Sequence, residues 1–280
     1  LELHENHRWP GLGTADHTVR FSDVGAVMGV LNVTPDSFSD GGLYLDHAAA
    51  IKHGRRLINE GATVVDVGGE STRPGAHPVG VAEELERVIP VVAGLVGCVR
   101  VSIDTRHEEV ARAAVAVGAT ILNDVSAGLG SVAADLGVAW VAMHMNGDPR
   151  TMQEDPHYDD VVSEVRDYLV NRAEKAMDAG VHEVWIDPGI GFGKTTRHNL
   201  AIMANIDVFV ETGWPVVVGV SRKRFLGELT AVSDGACEPT AAGDRREGSV
   251  ALATWAYAKG VSMVRAHDVG ATLDAARVAA

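Results

Sequence analysis

Short apolar, β-branched runs alternate along this chain with longer segments in which apolar residues recur every three or four positions. The runs at 26–33, 63–67, 99–103, 120–122, 139–143, 183–186, 215–218 and 262–265 have the length and composition of strands. Between them the helical period is explicit. Val81, Leu85, Val88, Ile89 and Val92 share one face, Val110, Ala113, Ala114 and Val117 a second, and Val162, Val165, Leu169, Ala173 and Ala176 a third. Gly61, Gly118 and Gly180 each follow such a pattern, where a left-handed residue commonly ends a helix. Alternation of this kind implies a parallel α/β sheet with right-handed crossovers. Eight units in about 250 residues are the size of a (β/α)8 TIM barrel, with residues 1–25 as a short extension capping its bottom and 26–280 as the domain. A doubly wound sheet would use fewer units and a Gly-rich first turn.

Composition narrows the partners more than the fold. A net charge of −14 argues against a broad nucleic-acid surface or attraction to an anionic membrane, yet allows a local basic pocket. Two cysteines make a disulfide framework improbable and fit a reducing, cytoplasmic setting. No run reaches the ~18 apolar residues of a membrane span, and 1–25 shows no apolar signal core.

The informative feature is where the reactive residues fall. After the first strand comes Asn32-Val-Thr-Pro-Asp-Ser-Phe-Ser-Asp-Gly-Gly42, too polar and varied for a plain connector. The second runs into Gly68-Gly-Glu-Ser-Thr-Arg-Pro-Gly-Ala76, the third into Asp104-Thr-Arg106, the fourth into Asn123-Asp124. Strand six leads to Asp187-Pro-Gly-Ile-Gly-Phe-Gly-Lys194, strand seven to Ser221-Arg-Lys-Arg224, strand eight to Arg265-Ala-His-Asp268; strand five gives only Met143-His-Met145. In a barrel these ends meet on one rim, the face where active sites are built. A lone Asp after a strand is most often a helix cap, and Asp104 and Asp124 each keep that reading open. Sorted by charge, Asp104, Asn123 and Asp187 offer acceptors suited to an aminated heterocycle. Arg73, Lys223, Arg265 and His267, with Asn32, offer donors suited to phosphate or another anionic leaving group. Arg222 reads as a solvated loop charge.

Two motifs fail on spacing. The run from Gly189 to Lys194 ends like a P-loop, but Pro188 occupies the first glycine position and the loop is too short. None of the 12 histidines forms an H-E-x-x-H pair, so zinc is not expected, and His144 and His198 read as structural. A magnesium ion held by one protein amide plus substrate phosphates would leave no such spacing.

In order, the stretches at 32–42, 66–75, 102–105, 123–125, 187–194, 221–223 and 264–269 resemble the signatures of the dihydropteroate synthase family, over nearly everything after Ala26. The resemblance implies condensation of 6-hydroxymethyl-7,8-dihydropterin diphosphate with p-aminobenzoate to 7,8-dihydropteroate, releasing pyrophosphate, through a cationic pterin-methylene species. Matched motif by motif, it implies that Asp104, Asn123, Asp187 and Lys223 hold the pterin. Asn32, Arg73, Arg265 and His267 would hold the diphosphate, with Mg2+ bridging Asn32 to it. Thr72, Pro74, Phe38, Phe192 and Ser221 would border the aminobenzoate, and 34–42 would act as a lid bringing in Phe38 and Asp40.

The run from Ser221 to Gly227 is similar to actinobacterial members, while Arg224 stands where Ser is common and Ala266 where Val is usual. Family members dimerise through late helices. The apolar segment 248–259 could serve as such a face or pack against the barrel, after a flexible loop at 233–246. Two other readings share the acceptor set: a pterin-binding methyltransferase domain and a non-catalytic pterin-binding protein. If Asp40 stabilises the cation or orients the amine, Asp40→Asn should lower kcat more than it weakens pterin diphosphate binding. An unchanged kcat in steady-state assays would remove it from that role.

Overall fold

A computed structural model describes residues 25–34, 46–70, 79–148 and 151–280. The chain alternates β1 (Ala26–Asn32), α1 (His47–Asn59), β2 (Val64–Gly68), α2 (Val81–Leu95), β3 (Arg100–Asp104) and α3 (Glu108–Ala116). It continues through β4 (Ile121–Asp124), α4 (Gly130–Leu136), β5 (Ala139–Met143), α5 (Val161–Asp178) and β6 (Val184–Asp187). Then follow α6 (Thr196–Ala204), α7 (Asp207–Val210), β7 (Val217–Val218), α8 (Arg224–Asp234), α9 (Arg246–Ala258), β8 (Met263–Ala266) and α10 (Val269–Ala279). The 8-stranded sheet has the order β6-β5-β4-β3-β2-β1-β8-β7, and its paired strands are parallel. An isolated parallel bridge between Ile186 and Val216 brings the two edges together. This is the (β/α)8 barrel expected from the strand–helix rhythm.

Alternation along each strand splits the apolar residues into two cores. Met28, Val64, Ile121, Val141, Trp185, Val217 and Met263 fill the barrel interior. Their neighbours in sequence, such as Val27, Leu31, Val65, Val67 and Val264, face the helices. Gly29 belongs to this outer face. A Cβ there would stand 3.2 Å from Val269 and 3.3 Å from Leu57, so its absence lets α1 and α10 settle onto β1.

Helix ends follow local chemistry. Asp46 accepts from the Ala49 amide to start α1, and Asp160 accepts from the Val162 and Ser163 amides to start α5. Gly61, Gly118 and Gly180 hold φ of 103°, 114° and 104°, ending their helices as expected.

Two expectations need correction. The 215–218 strand shrinks to Val217–Val218, because Pro215 has no N–H for the ladder, although its carbonyl still accepts from Ile186 at 3.0 Å. The supposed loop at 233–246 begins inside α8 and ends in a 3-10 turn, Ala242–Arg245. That turn is fastened by Arg245, whose guanidinium donates to the Thr240 carbonyl at 2.8 Å and the Arg222 carbonyl at 3.1 Å. The 1–25 extension and the 34–42 lid fall outside the described residues, apart from Gly25 and Thr34.

Leu57 is fully buried between α1 and the sheet. Truncation by Leu57→Ala should cost about 2–5 kcal/mol, since the rigid wall around Gly29 cannot collapse into the gap. Urea unfolding should show this as a lower midpoint with an unchanged slope.

Candidate active site

One layer above the apolar interior, the inward positions turn polar. Asp66 lies two residues after Val64, Asn123 two after Ile121, Arg265 two after Met263 and Asp187 two after Trp185. A small open cavity lies here at the strand ends. Its walls include Asp104, Asn123, Asp187, Phe192, Ser221, Lys223, Arg265 and His267, eight of the residues that the sequence proposed, together with apolar Val30, Val125, Met143 and Ile190.

Arg265 organises the floor. Its Nε donates to Asp66 Oδ2 at 2.6 Å and its Nη2 to Asp104 Oδ2 at 2.7 Å. Burial alone would lower this guanidinium, but the charges of Asp66 and Asp104 overcome that and raise it. Asp104 is pushed up to about 7, first by burial, with Arg265 pulling the other way and nearby Asp66, Glu84 and Asp124 adding to the rise. Burial also raises Asp187, opposed by the Gly189 amide, which donates to its Oδ1 at 2.8 Å, and by Lys223. Lys223 is lowered to about 8 by burial, while Asp187 draws it upward. The Lys223 ammonium stands 4.0 Å from the centre of the Phe192 ring, a cation–π contact. The cavity therefore presents acceptors and donors side by side in a desolvated cup.

On the remaining rim, Ser221 Oγ lies 3.0 Å from His267 Nδ1 and accepts from the His267 amide at 3.2 Å, which joins the β7 and β8 ends. Asn32 ends β1, paired in register with Gly68, and is half-buried outside the cavity wall. Phe38, Asp40, Thr72, Arg73 and Pro74 lie outside the described residues. At the base of the 71–78 segment, Glu70 takes a two-pronged ion pair from Arg106 at 3.0 and 3.1 Å, and Arg87 donates to the Gly69 carbonyl at 2.7 Å.

Several residues depart from their expected roles. Asp66, which motif reading left without a role, is fully buried and holds both Arg265 and Asn123. A carboxylate in the middle of a β-branched strand, at an inward position, was the signal. Arg222, though partly solvated, is not a free loop charge: it pairs with Asp268 at 3.0 and 3.2 Å, at a φ of 57°. Lys194 is buried, its ammonium lying within 2.9 Å of His144 Nδ1 and 3.1 Å of the Gly189 and Phe192 carbonyls. Gln153 and Tyr158 donate to the Gly191 and Gly193 carbonyls of the same loop. The β5 loop, silent in sequence, thus clasps the loop after β6. The fit requires glycine, since a Cβ at Gly189, φ 65°, would stand 1.8 Å from the His144 carbonyl oxygen.

His144 and His198 are structural, as expected: His144 packs edge-on to Tyr168 and His198 completes a capping box with Thr195. Neither Asp104 nor Asp124 is a helix cap, because His107 caps α3 and Leu129 caps α4; Asp124 instead braces the β4 loop, accepting from the Ser126 and Leu129 amides and from Trp140 Nε1. Arg224, on the first turn of α8, pairs with Glu228 at 2.9 Å.

A barrel with this mixed rim defines the class, and a model of the family described as pterin binding enzyme matches residues 28–267. The dihydropteroate synthase of Escherichia coli K12 is 45% identical over 260 residues, covering 90% of this chain and 89% of the relative. That of Mycobacterium leprae is 48% identical over 262 residues, covering 90% and 91%. The structure of Xanthomonas albilineans dihydropteroate synthase with 4-aminobenzoic acid superposes with a TM-score of 0.83 at 48% identity, covering 91% of this chain and 92% of that one. The chain belongs to this pterin-binding family in its dihydropteroate synthase branch, transferases that condense 6-hydroxymethyl-7,8-dihydropterin diphosphate with p-aminobenzoate.

The division between Asp104 and Asp124 can be checked directly. Asp124→Ala should cost about 1–3 kcal/mol, through orphaned buried amides, and leave both substrate KM values unchanged. A large rise in the pterin KM would move Asp124 into the site.

Proposed function

We propose that the cavity floor binds the dihydropterin ring and the rim binds its diphosphate and the incoming amine. The observation that carries this is the convergence of Asp104, Asn123, Asp187, Lys223 and Arg265 on one desolvated cup. An aminopyrimidinone edge is a row of N–H donors, which the two carboxylates and the amide oxygen can accept. Lys223, stacked on Phe192, donates to the opposite side of the ring system. Arg265 and His267, with Asn32 and Arg73, face the diphosphate. Phe192 and Ser221, with Phe38, Thr72 and Pro74, border the aminobenzoate, and Asp40 orients the amine or stabilises the cation.

The reaction breaks the bond between the pterin methylene carbon and the diphosphate oxygen, whose electrons leave with pyrophosphate. The amine nitrogen then bonds to that carbon and gives up a proton. Cationic side chains on the leaving side and carboxylates beneath the ring stabilise the separating charges. The apolar walls, Val30, Val125, Met143 and Ile190, exclude the water that would trap the cation.

Among the described residues no group of three or more His, Cys, Asp or Glu side chains could hold a metal ion by itself. The half-buried Asn32 amide, a single hard oxygen donor at a strand end, fits an ion that takes its other ligands from phosphate and water. Bound there, Mg2+ would neutralise diphosphate charge.

A homodimer through the late helices is supported by Trp255 on α9 and Val278 on α10, 45% and 79% exposed on helices that pack against each other. A cytoplasmic location is supported by the two free, exposed cysteines, Cys98 and Cys237, which fit a reducing setting. The run from Ser221 to Gly227 supports an actinobacterial affinity.

Pyrophosphate release should require p-aminobenzoate and Mg2+ together, and chelation should abolish it; tight pterin binding without release would favour a non-catalytic protein. A pH dependence follows from Asp104. Its folded carboxyl titrates near 7, above the ordinary 3.8, so stability in the ligand-free protein falls as pH rises from about 4 to 7. Pterin diphosphate selects the ionised form, so its Kd should fall as pH rises towards 7, and rise again above about 8, where Lys223 loses its charge. Asp104→Asn should flatten the acid side of that profile in calorimetric titrations.

A further inference from the structure

β2 reads Val64-Val-Asp-Val-Gly68, and Asp66 is its inward, fully buried polar member. One of its oxygens does two jobs. Oδ2 accepts from Arg265 Nε at 2.6 Å and from Asn123 Nδ2 at 2.9 Å. A carboxylate beside a guanidinium has no hydrogen to give, so it dictates which end of the Asn123 amide turns towards it. Nδ2 points down to Asp66, and Oδ1 is left on the opposite side, where Asn123 lines the cavity. The same carboxylate fixes the Arg265 fork, because Nε is committed to Asp66 and Nη2 to Asp104.

We infer that Asp66, below the cavity, is a positioning residue that sets Asn123 as a hydrogen-bond acceptor towards the heterocycle and holds the Arg265 guanidinium in plane. It determines specificity at second hand: the ligand edge over Asn123 must offer an N–H rather than a carbonyl or ring nitrogen. The inference rests on the proposed reading of Asn123 as a pterin contact. It adds that the polarity of that contact is decided by a residue the ligand does not touch.

The geometry separates two variants. Because both bonds end on one oxygen, Asp66→Asn can keep them by placing its amide oxygen there, with its amide nitrogen on the Oδ1 side, where the native oxygen has no hydrogen-bond partner. Asp66→Leu removes the acceptor. The Asn123 amide is then free to turn and present N–H groups to the cavity, where donor faces donor, and Arg265 Nε is left without its partner.

The test is calorimetric titration of the full chain with 6-hydroxymethyl-7,8-dihydropterin diphosphate in the absence of p-aminobenzoate, with steady-state KM values alongside. Asp66→Leu should raise the pterin diphosphate Kd about tenfold or more and leave the p-aminobenzoate KM within about twofold, whereas Asp66→Asn, which keeps the acceptor, should bind within about threefold of the unaltered chain. Ser102→Ala alters the buried residue opposite Asp66 in the strand register and should leave Kd unchanged, which controls for disturbance of the barrel interior.

An unchanged Kd in Asp66→Leu overturns the inference. So does an Asp66→Asn variant that loses affinity about tenfold or more, since the charge rather than the acceptor then matters, and that outcome decides alone if Asp66→Leu does not fold. Asn123→Ala separates this failure from that of the underlying reading. If Asn123→Ala loses affinity and Asp66→Leu does not, only the positioning role is wrong; if neither loses it, Asn123 is not a pterin contact.

Discussion

The ion triad of Asp66, Arg265 and Asp104 ties β2, β3 and β8 together at the level where the barrel changes from apolar to polar. Taking three charges out of water is costly, and removing one partner of a buried pair typically costs about 3–5 kcal/mol, because the survivor has no counterion. Packed apolar residues would fill the same space with less risk. The triad is explained by what it presents upward: a guanidinium with a committed direction, and a carboxylate whose charge is poised by burial. Much of the site geometry refers back to it. Asn123 takes its orientation from Asp66, and Asp187 and Lys223 share the field that Arg265 helps to set.

Around this floor, the loops hold one another rather than standing alone. The segment after β6 carries Phe192 and Gly189 into the cavity wall, yet its carbonyls are fastened by residues of the β5 loop and by the buried Lys194 ammonium. Arg222 and Asp268 do the same between the β7 and β8 ends, and Arg106 and Glu70 at the base of the second loop. Interlocking of this kind keeps reactive groups in register without a rigid element beneath each one, which is how a binding site can be both loop-built and preorganised.

The strands and the rim were legible because both have a period. Eight β-branched runs separated by amphipathic stretches point to a barrel, and polar residues after those runs point to one face of it. Asp66 was legible in type but not in role: its partner Arg265 lies 199 positions away, and only the register that closes the barrel brings them together. Lys194 was hidden for another reason. It sits in a glycine-rich run that suggests phosphate chemistry, while its burial depends on the β5 loop, which carries no motif. Arg222 looked solvated since nothing local shows that a loop 46 residues later will offer Asp268. Pairings of long sequence separation were what the sequence withheld.

The joint between β6 and β7 gives the closed barrel an asymmetry. Every other neighbouring pair of strands shares a ladder, whereas this one meets through the Ile186–Val216 bridge and the bond to the Pro215 carbonyl. Local opening follows the line of fewest bonds. Asp187 stands at the end of the strand on one side of that line and Lys223 follows the strand on the other. In the proposed binding mode a ring held by both would bridge the seam, and the substrate would then supply part of the closure that the strand ladder omits.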